Sequence, residues 1–237
     1  MEALSINNLL IKEYFYHHFQ PVLNIQDGQI LGYECLFRTY SDQPPDSVFM
    51  KAKKQKKLYE LDSRSIHKAL KTYNNAGSKI KDKKLFLNIF PSTIMNQMFY
   101  SFISIIINEN KKISQQIVLE INENERINDF HLLKKKLFLL KKLGIQIAID
   151  DIGNGFSSIK SIIDLDPDFI KLDKYFLGNL HCSERKKDMI EYLVHYCNKF
   201  NCHLIVEGIE DLVTLSTLKD LGVQYAQGYL LGMPSLL

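Results

Sequence analysis

The chain has 237 residues, of which 46% are hydrophobic and 24% charged, and its formal net charge is +3. That balance is ordinary for a globular protein with a sizeable core, and the length suits one large domain or two small ones. The excess charge is Lys scattered over many segments rather than gathered in a stripe, so no polymeric nucleic-acid partner is expected.

From the N-terminus, Glu2, Asn7 and Asn8 stand where a secretory leader would place basic and then apolar residues, so the expected location is the cytoplasm. A first short apolar run, Ile30–Phe37, predicts a strand, and Leu85–Ile89 predicts a second. The best candidate for a membrane segment, Phe102 to Ile107, is interrupted by Ser104 and followed by Asn108 and Glu109. It falls far short of the roughly 20 apolar residues that insertion requires. Gln116–Ile121 predicts a third strand. The stretch Asp129–Leu143 then repeats Leu133, Leu137 and Leu140 at helical spacing, with Lys134, Lys135, Lys136, Lys141 and Lys142 largely outside and Gly144 as the C-terminal cap.

Strands are predicted next over Gln146–Ile149 and Phe169–Leu172. Glu184–Phe200 carries Met189, Ile190, Leu193, Val194, Cys197 and Phe200 in steps of three and four, which predicts one apolar helical face. His203–Val206 and Tyr225–Leu230 are the last predicted strands. The four cysteines, Cys35, Cys182, Cys197 and Cys202, have no disulfide spacing, and a cytoplasmic chain keeps them reduced. His195, Cys197, Cys202 and His203 lie close together, with His181 beside Cys182. They form no CxxC or HxxxH pair, and Cys197 falls on the apolar helix face, so they read as core or incidental residues rather than zinc ligands.

Short runs rich in Ile, Val and Leu that alternate with helices specify a parallel α/β sheet, doubly wound or closed into a barrel. A barrel wants about eight units and 250 residues, which the length suits, but periodicity alone does not separate the two.

What ends each strand is more informative. The residues at or near the C-terminal ends are Glu34, Asn88, Glu120, Asp150 with Asp151, Asp173, Glu207 and Gln227, and Lys171 lies two residues before Asp173. Each carboxylate alone reads as a strand-end cap or half of a surface ion pair. In a barrel they would all converge on one mouth, where like charges repel unless cations lie among them. Glu34, Glu120, Asp150, Asp151 and Glu207 carry five negative charges, which two divalent ions and Lys171 would balance; Asp173 is set aside as an outer group. An all-oxygen donor set without His or Cys suits Mg²⁺ or Mn²⁺ rather than Zn²⁺. Two such ions roughly 3.5–4 Å apart suit hydrolysis of a phosphodiester. A rival reading takes Gly153-Asn154-Gly155-Phe156-Ser157-Ser158 as a phosphate-cradling loop. It lacks the third glycine, and Asp150-Asp151 ahead of it would repel a pyrophosphate.

At this point the motifs match a family. From Phe19 to Pro234 the chain resembles the EAL domain. Phe19-Gln20-Pro21 resembles the opening FQP, and Glu34-Cys35-Leu36-Phe37-Arg38 stands in the place of EALLR. Leu119-Glu120-Ile121-Asn122-Glu123 is similar to LEITE, and Asp150 to Ser158 is similar to DDFGTGYSS. Lys171-Leu172-Asp173 resembles KID, Glu207-Gly208-Ile209-Glu210 resembles EGVE, and Gln227-Gly228-Tyr229-Leu230 matches QGYL. The string Glu2-Ala3-Leu4 is a coincidence of letters, with no strand before it and no Arg after it in the proper place.

The resemblance implies a single EAL domain over 1–237, folded as a TIM-like (β/α)8 barrel with one antiparallel strand and usually a homodimer. It implies a phosphodiesterase that hydrolyses cyclic-di-GMP to linear pGpG with Mg²⁺ or Mn²⁺. Glu34, Asn88, Glu120 and Asp150 would hold one metal, and Asp150 with Asp151 the second. Lys171 and Glu207 would position or deprotonate the attacking water, and Gln20, Arg38 and Gln227 would hold substrate phosphate or guanine. Glu123 would tie down the loop after Asp151. The departures Cys35, Asn122, Ile152, Asn154, Phe156 and Val206 touch no implied metal ligand, whereas Phe49–Asp62 departs more and is Lys-rich. The other readings are a non-catalytic cyclic-di-GMP receptor and a protein-interaction regulator. Such members usually lose metal ligands, and here every ligand position is filled.

Overall fold

The computed structural model describes residues 5–41, 43–77, 80, 82–109, 113–122, 125, 127, 129–153 and 159–237. Eight strands close into a barrel in sequence order. They are β1 (Phe15–Asn24), β2 (Ile30–Thr39), β3 (Lys84–Ile89), β4 (Ile117–Ile121), β5 (Gln146–Ile152), β6 (Phe169–Leu172), β7 (His203–Val206) and β8 (Tyr225–Ala226). β1 runs antiparallel to both its neighbours, β2 and β8, and the other pairings are parallel. The fold is a TIM-like α/β barrel with one antiparallel strand.

Nine helices accompany the strands among the described residues: α1 (Ile6–Ile11), α2 (Pro45–Lys54), α3 (Leu58–Asn75), α4 (Pro91–Met95), α5 (Phe99–Glu109), α6 (Phe130–Lys142), α7 (Ile159–Leu165), α8 (Glu184–Phe200) and α9 (Leu212–Asp220). α6 buries the Leu133, Leu137 and Leu140 stripe that its spacing predicts. Asp129 caps its start by accepting from the Leu132 N–H at 2.9 Å, and Gly144 follows its end at a φ of +89°. α8 buries Ile190, Leu193 and Cys197, but Met189 and Phe200 from the predicted face are exposed. They flank the stripe, and the barrel wall covers only its centre.

Two apolar layers follow from the strand pleat, in which alternate residues face opposite sides. One side packs under the helices, with Leu85, Leu87, Ile117, Leu119, Ile147 and Ile149 buried in the larger core. The other side fills the barrel with a plug of Val22, Phe86, Val118, Ala148, Phe169 and Ile205. Phe86 and Phe169 meet edge to face at 5.3 Å between ring centroids. Removing either ring would leave a void in a closed interior, at a cost of about 3–5 kcal/mol.

Two strand predictions need correction. β1 is absent from the sequence-based set because Tyr16, His17, His18 and Gln20 break its apolar run, yet it is ten residues long and nine of them, Phe15 to Leu23, pair with β2. β8 pairs only over Tyr225–Ala226 rather than to Leu230. Beyond it Gly228 lies so close to the Ile209 backbone that an added Cβ would meet it at 2.2 Å. The chain there packs against the segment after β7 instead of continuing the strand. Among the described residues no helix is long and apolar enough to cross a membrane.

Candidate metal centre and active site

The site is the next pleat above the plug. Two residues toward the mouth from Val22, Phe86, Val118, Ala148, Phe169 and Ile205 stand Gln20, Asn88, Glu120, Asp150, Lys171 and Glu207. β2 contributes Glu34, paired across from Gln20, and the end of β8 contributes Gln227. A period of two, repeated around the barrel, therefore turns one apolar ring into one polar ring.

β5 supplies two carboxylates where the other strands supply one group. Its pairing with β6 shifts between Ile149 and Ile152, so Asp150 and Asp151 both stand opposite Lys171. This is a β-bulge, and it re-aims side chains that a regular strand would send to opposite faces. Asp151 sits in the left-handed region at φ 56°, the strained conformation the bulge imposes. Gly153 follows at φ +103°, where a Cβ would strike the Phe176 ring at 2.2 Å.

Lys171 is the centre of the ring, with only 1% of its surface exposed. Its ammonium lies 2.7 Å from Glu207, 2.8 Å from Glu120, 3.2 Å from Asp150 and 3.5 Å from Glu34. Asn88 donates to Glu34 at 3.1 Å, and Gln227 donates to Glu34 at 2.7 Å and to Gln20 at 3.0 Å. Gln20 in turn donates to the Gly232 carbonyl at 3.0 Å.

The electrostatics follow from burial and crowding. Burial pushes Lys171 down, but Asp150, Glu120, Glu207 and Glu34 together raise it well above the usual range, so it is a fixed cation. Burial pushes Glu34 up, yet Lys171 and the Gln227 and Asn88 hydrogen bonds hold it below the usual carboxylate range. Burial raises Glu120 well above that range. It raises Glu207 to about 8 against the pull of Lys171, and Asp151 to about 6 with Asp150 adding repulsion. Five carboxylates share one ammonium here, so the ring calls for further positive charge.

The donors fit a hard divalent cation. Carboxylate oxygens of Asp150, Asp151 and Glu207 lie within 4.8 Å of one another, the one such cluster among the described residues. Glu34 and Glu120 stand against Lys171 and outside that cluster, and Asn88 adjoins them through its hydrogen bond to Glu34. Glu207, which the sequence reading gives to the attacking water, thus also lies beside the two β5 carboxylates. Arg38 is further up β2 and donates to the Phe37 carbonyl at 2.8 Å. Asp173 caps the turn after β6 by accepting from the Tyr175 N–H at 2.8 Å. Glu123 and the loop 154–158 lie outside the described residues.

Two cavities meet at Glu34. One, of about 370 Å³, holds Gln20, Asp150, Asp151, Lys171, Glu207 and Gln227. Lys174, Glu210 and Tyr229 line it as well. Sequence reasoning assigned them no role, although Glu210 and Tyr229 belong to quoted motifs and Lys174 directly follows one. The other, of about 280 Å³, runs between the ends of β2 and β3 and the helices α2 and α3, past Arg38, Phe49, Asp62, Asn88 and Phe90. Phe49 of the divergent segment packs against Phe90 at 5.5 Å and Phe37 at 5.1 Å.

This geometry coincides with a family match: the profile of the EAL domain fits residues 3–234. The chain belongs to the EAL domain family. The blue light- and temperature-regulated antirepressor BluF of Escherichia coli is 26% identical over 92% of this EAL chain and 55% of its own length. The cyclic di-GMP phosphodiesterase PdeA of Borreliella burgdorferi is 26% identical over 94% of this chain and 34% of its own. This EAL chain therefore spans about half or a third of the length of those relatives. The crystal structure of Bacillus subtilis YkuI, an EAL protein in complex with substrate c-di-GMP and calcium, superposes at a TM-score of 0.82 with 26% identity. That match covers 99% of this chain and 60% of YkuI.

Proposed function

We propose that this EAL domain is a divalent-metal phosphodiesterase that opens cyclic-di-GMP to linear pGpG. The observation that carries the proposal is the polar ring above the plug, with Asp150, Asp151 and Glu207 gathered beside a fixed Lys171. PdeA by name and YkuI by its bound dinucleotide support the choice of substrate.

In this reading Glu34, Asn88, Glu120 and Asp150 hold one Mg²⁺ or Mn²⁺, and Asp150 with Asp151 holds a second. When bound, such ions neutralise phosphoryl oxygens and lower the pKa of water. The chain's own groups do the rest. Arg38, Gln20 and Gln227 orient the phosphate or guanine. Lys171 holds its proton and orients the attacking water, while Glu207 accepts that water's proton. Attack at one phosphorus forms a P–O bond to the water oxygen and breaks the P–O bond to one sugar oxygen, which takes a proton from solvent to become the free hydroxyl of the linear dinucleotide. Glu123 would fix the loop after Asp151. The family also carries the expectation of a cytoplasmic homodimer, which light scattering of the purified chain tests for assembly.

The name of BluF favours a second reading, a regulator that acts by contact rather than turnover. Incubation of the chain with cyclic-di-GMP and Mg²⁺ or Mn²⁺, followed by chromatography, separates the two. Conversion to pGpG supports the phosphodiesterase. Intact dinucleotide under both metals overturns it.

A further inference from the structure

The β1–β2 ribbon extends past the barrel, and its register sets what its two faces carry. Gln20 pairs with Glu34, His18 with Leu36, and Tyr16 with Arg38. Residues two apart share a face. Val22 belongs to the plug inside the barrel, so Gln20, His18 and Tyr16 all point to the mouth side. The opposite face carries Phe15 and Phe37, buried with residues of α1, α2 and α3. The core thus has its aromatic rings on the far side and does not call for those on the mouth side.

The mouth side is nonetheless aromatic. The Tyr16 ring lies 4.8 Å from Tyr40 and 5.3 Å from His18, and Tyr40 lies 4.8 Å from Tyr14. Tyr40 is 57% exposed and Tyr14 41%. At a rise of about 3.3 Å per residue, His18 stands ~7 Å and Tyr16 ~13 Å beyond the Gln20 rung. A base joined through its sugar to a phosphate held above the ring would stand between the levels of His18 and Tyr16. Arg38, across from Tyr16, adds a cation for a base face or edge.

We infer that this ribbon face is a stacking wall for one nucleobase of the cyclic dinucleotide, with Tyr16 at its centre. The inference rests on the proposed function for the identity of the ligand and adds to it the residues that read the base. Stacking needs a ring face and no particular hydrogen bond. Tyr16→Phe should therefore act as wild type, and Tyr16→Leu should not. Aromatic pairs across a ribbon also stabilise it, so stability must be followed separately from binding.

The test is calorimetric binding of cyclic-di-GMP, with hydrolysis read beside it. The proteins are wild type, Tyr16→Leu, Tyr16→Phe and a distant control, Tyr192→Leu, on the exposed side of α8. We expect Tyr16→Leu to weaken binding about tenfold, ~1.4 kcal/mol, with unchanged kcat and a denaturation midpoint lowered only by the lost ring pairs, at most about 1 kcal/mol. Tyr16→Phe and the control should match wild type. Hydrolysis of bis(p-nitrophenyl) phosphate, whose rings sit on the phosphate and cannot reach Tyr16, should be unaffected by Tyr16→Leu. Wild-type binding by Tyr16→Leu overturns the wall and leaves the phosphodiesterase reading intact. Equal losses in the Leu and Phe variants overturn it in favour of a hydroxyl contact. Tyr16-dependent binding without any hydrolysis keeps the wall and overturns the enzyme reading. No binding by wild type overturns both.

Discussion

Replacing Lys171 by Met tests the electrostatic account of the mouth most directly. Met keeps most of the volume and removes the ammonium that lies 2.7–3.5 Å from four carboxylates. Removing one partner of a buried ion pair costs about 3–5 kcal/mol, because the remaining charge stays buried and uncompensated. Here one ammonium serves Glu34, Glu120, Asp150 and Glu207, so the upper part of that range applies in metal-free buffer. For a chain of this size about 4 kcal/mol corresponds to a fall in Tm of roughly 8–16 °C. Metal affinity should move the opposite way. With the positive charge gone, Mn²⁺ should bind Lys171→Met more tightly than wild type and recover part of the lost stability. Turnover should fall at least about 10²-fold, the scale of losing one electrostatic group from an active site. Urea unfolding in EDTA and in Mn²⁺, with a hydrolysis assay beside them, measures all three. A metal-free stability within about 1 kcal/mol of wild type would refute the claim that Lys171 is the internal counter-ion of the ring.

Three further outcomes follow from the same geometry. Asp151→Asn should lower kcat at least about 10²-fold while the dissociation constant of cyclic-di-GMP stays within about tenfold, since the remaining donors still hold one ion; calorimetry beside hydrolysis decides it, and a joint collapse would place Asp151 in the substrate-holding set. Ca²⁺ should support binding but inhibit turnover, because its ligand distances of roughly 2.3–2.6 Å exceed the 2.0–2.1 Å that Mg²⁺ demands; equal rates with Ca²⁺ as sole metal would contradict this. Asp62 is buried on α3, accepts from the Phe90 N–H at 3.0 Å, and is raised by burial to about 7 from 3.8. The folded chain holds that proton more tightly than the unfolded one, so this stability is full below about pH 4 and is lost as pH rises to 7. Asp62→Asn, which keeps the acceptor and cannot ionise, should match wild type at pH 4 and exceed it at pH 8 by up to about 4 kcal/mol; equal urea midpoints at pH 8 would sink the account.

Much of the barrel was legible because six of its strands are short Ile, Val and Leu runs, and such runs have few alternatives to a doubly covered sheet. β1 was not, since its outward rings and mouth-facing Tyr16, His18 and Gln20 share no simple apolar alternation with the buried His17. The same residues explain why the aromatic wall could not be read from sequence: only the register with β2 shows which of them point together. The carboxylates at the strand ends were legible as a set, because strand direction alone sends them to one mouth. The ring geometry was not. The bulge at Asp150–Asp151 is a pairing shift, and Lys171 reaching four partners depends on barrel closure. Glu207 joining the β5 pair depends on where the chain leaves β7, which no local pattern specifies.

The reversed direction of β1 also governs how the molecule can be handled and wired. In an all-parallel barrel the first strand starts at the floor, away from the chemistry. Here Phe15, at the start of β1, pairs with Thr39 at the upper end of β2, and Ser235 bridges back to Phe19. Gln20 itself holds the Gly232 carbonyl. The chain entering β1 and the segment at Ser235 consequently both lie toward the mouth end of the barrel. A substitution in either stretch is a change to the rim of the polar ring. By the same token a small shift of either stretch would be felt at the polar ring without any signal crossing the barrel.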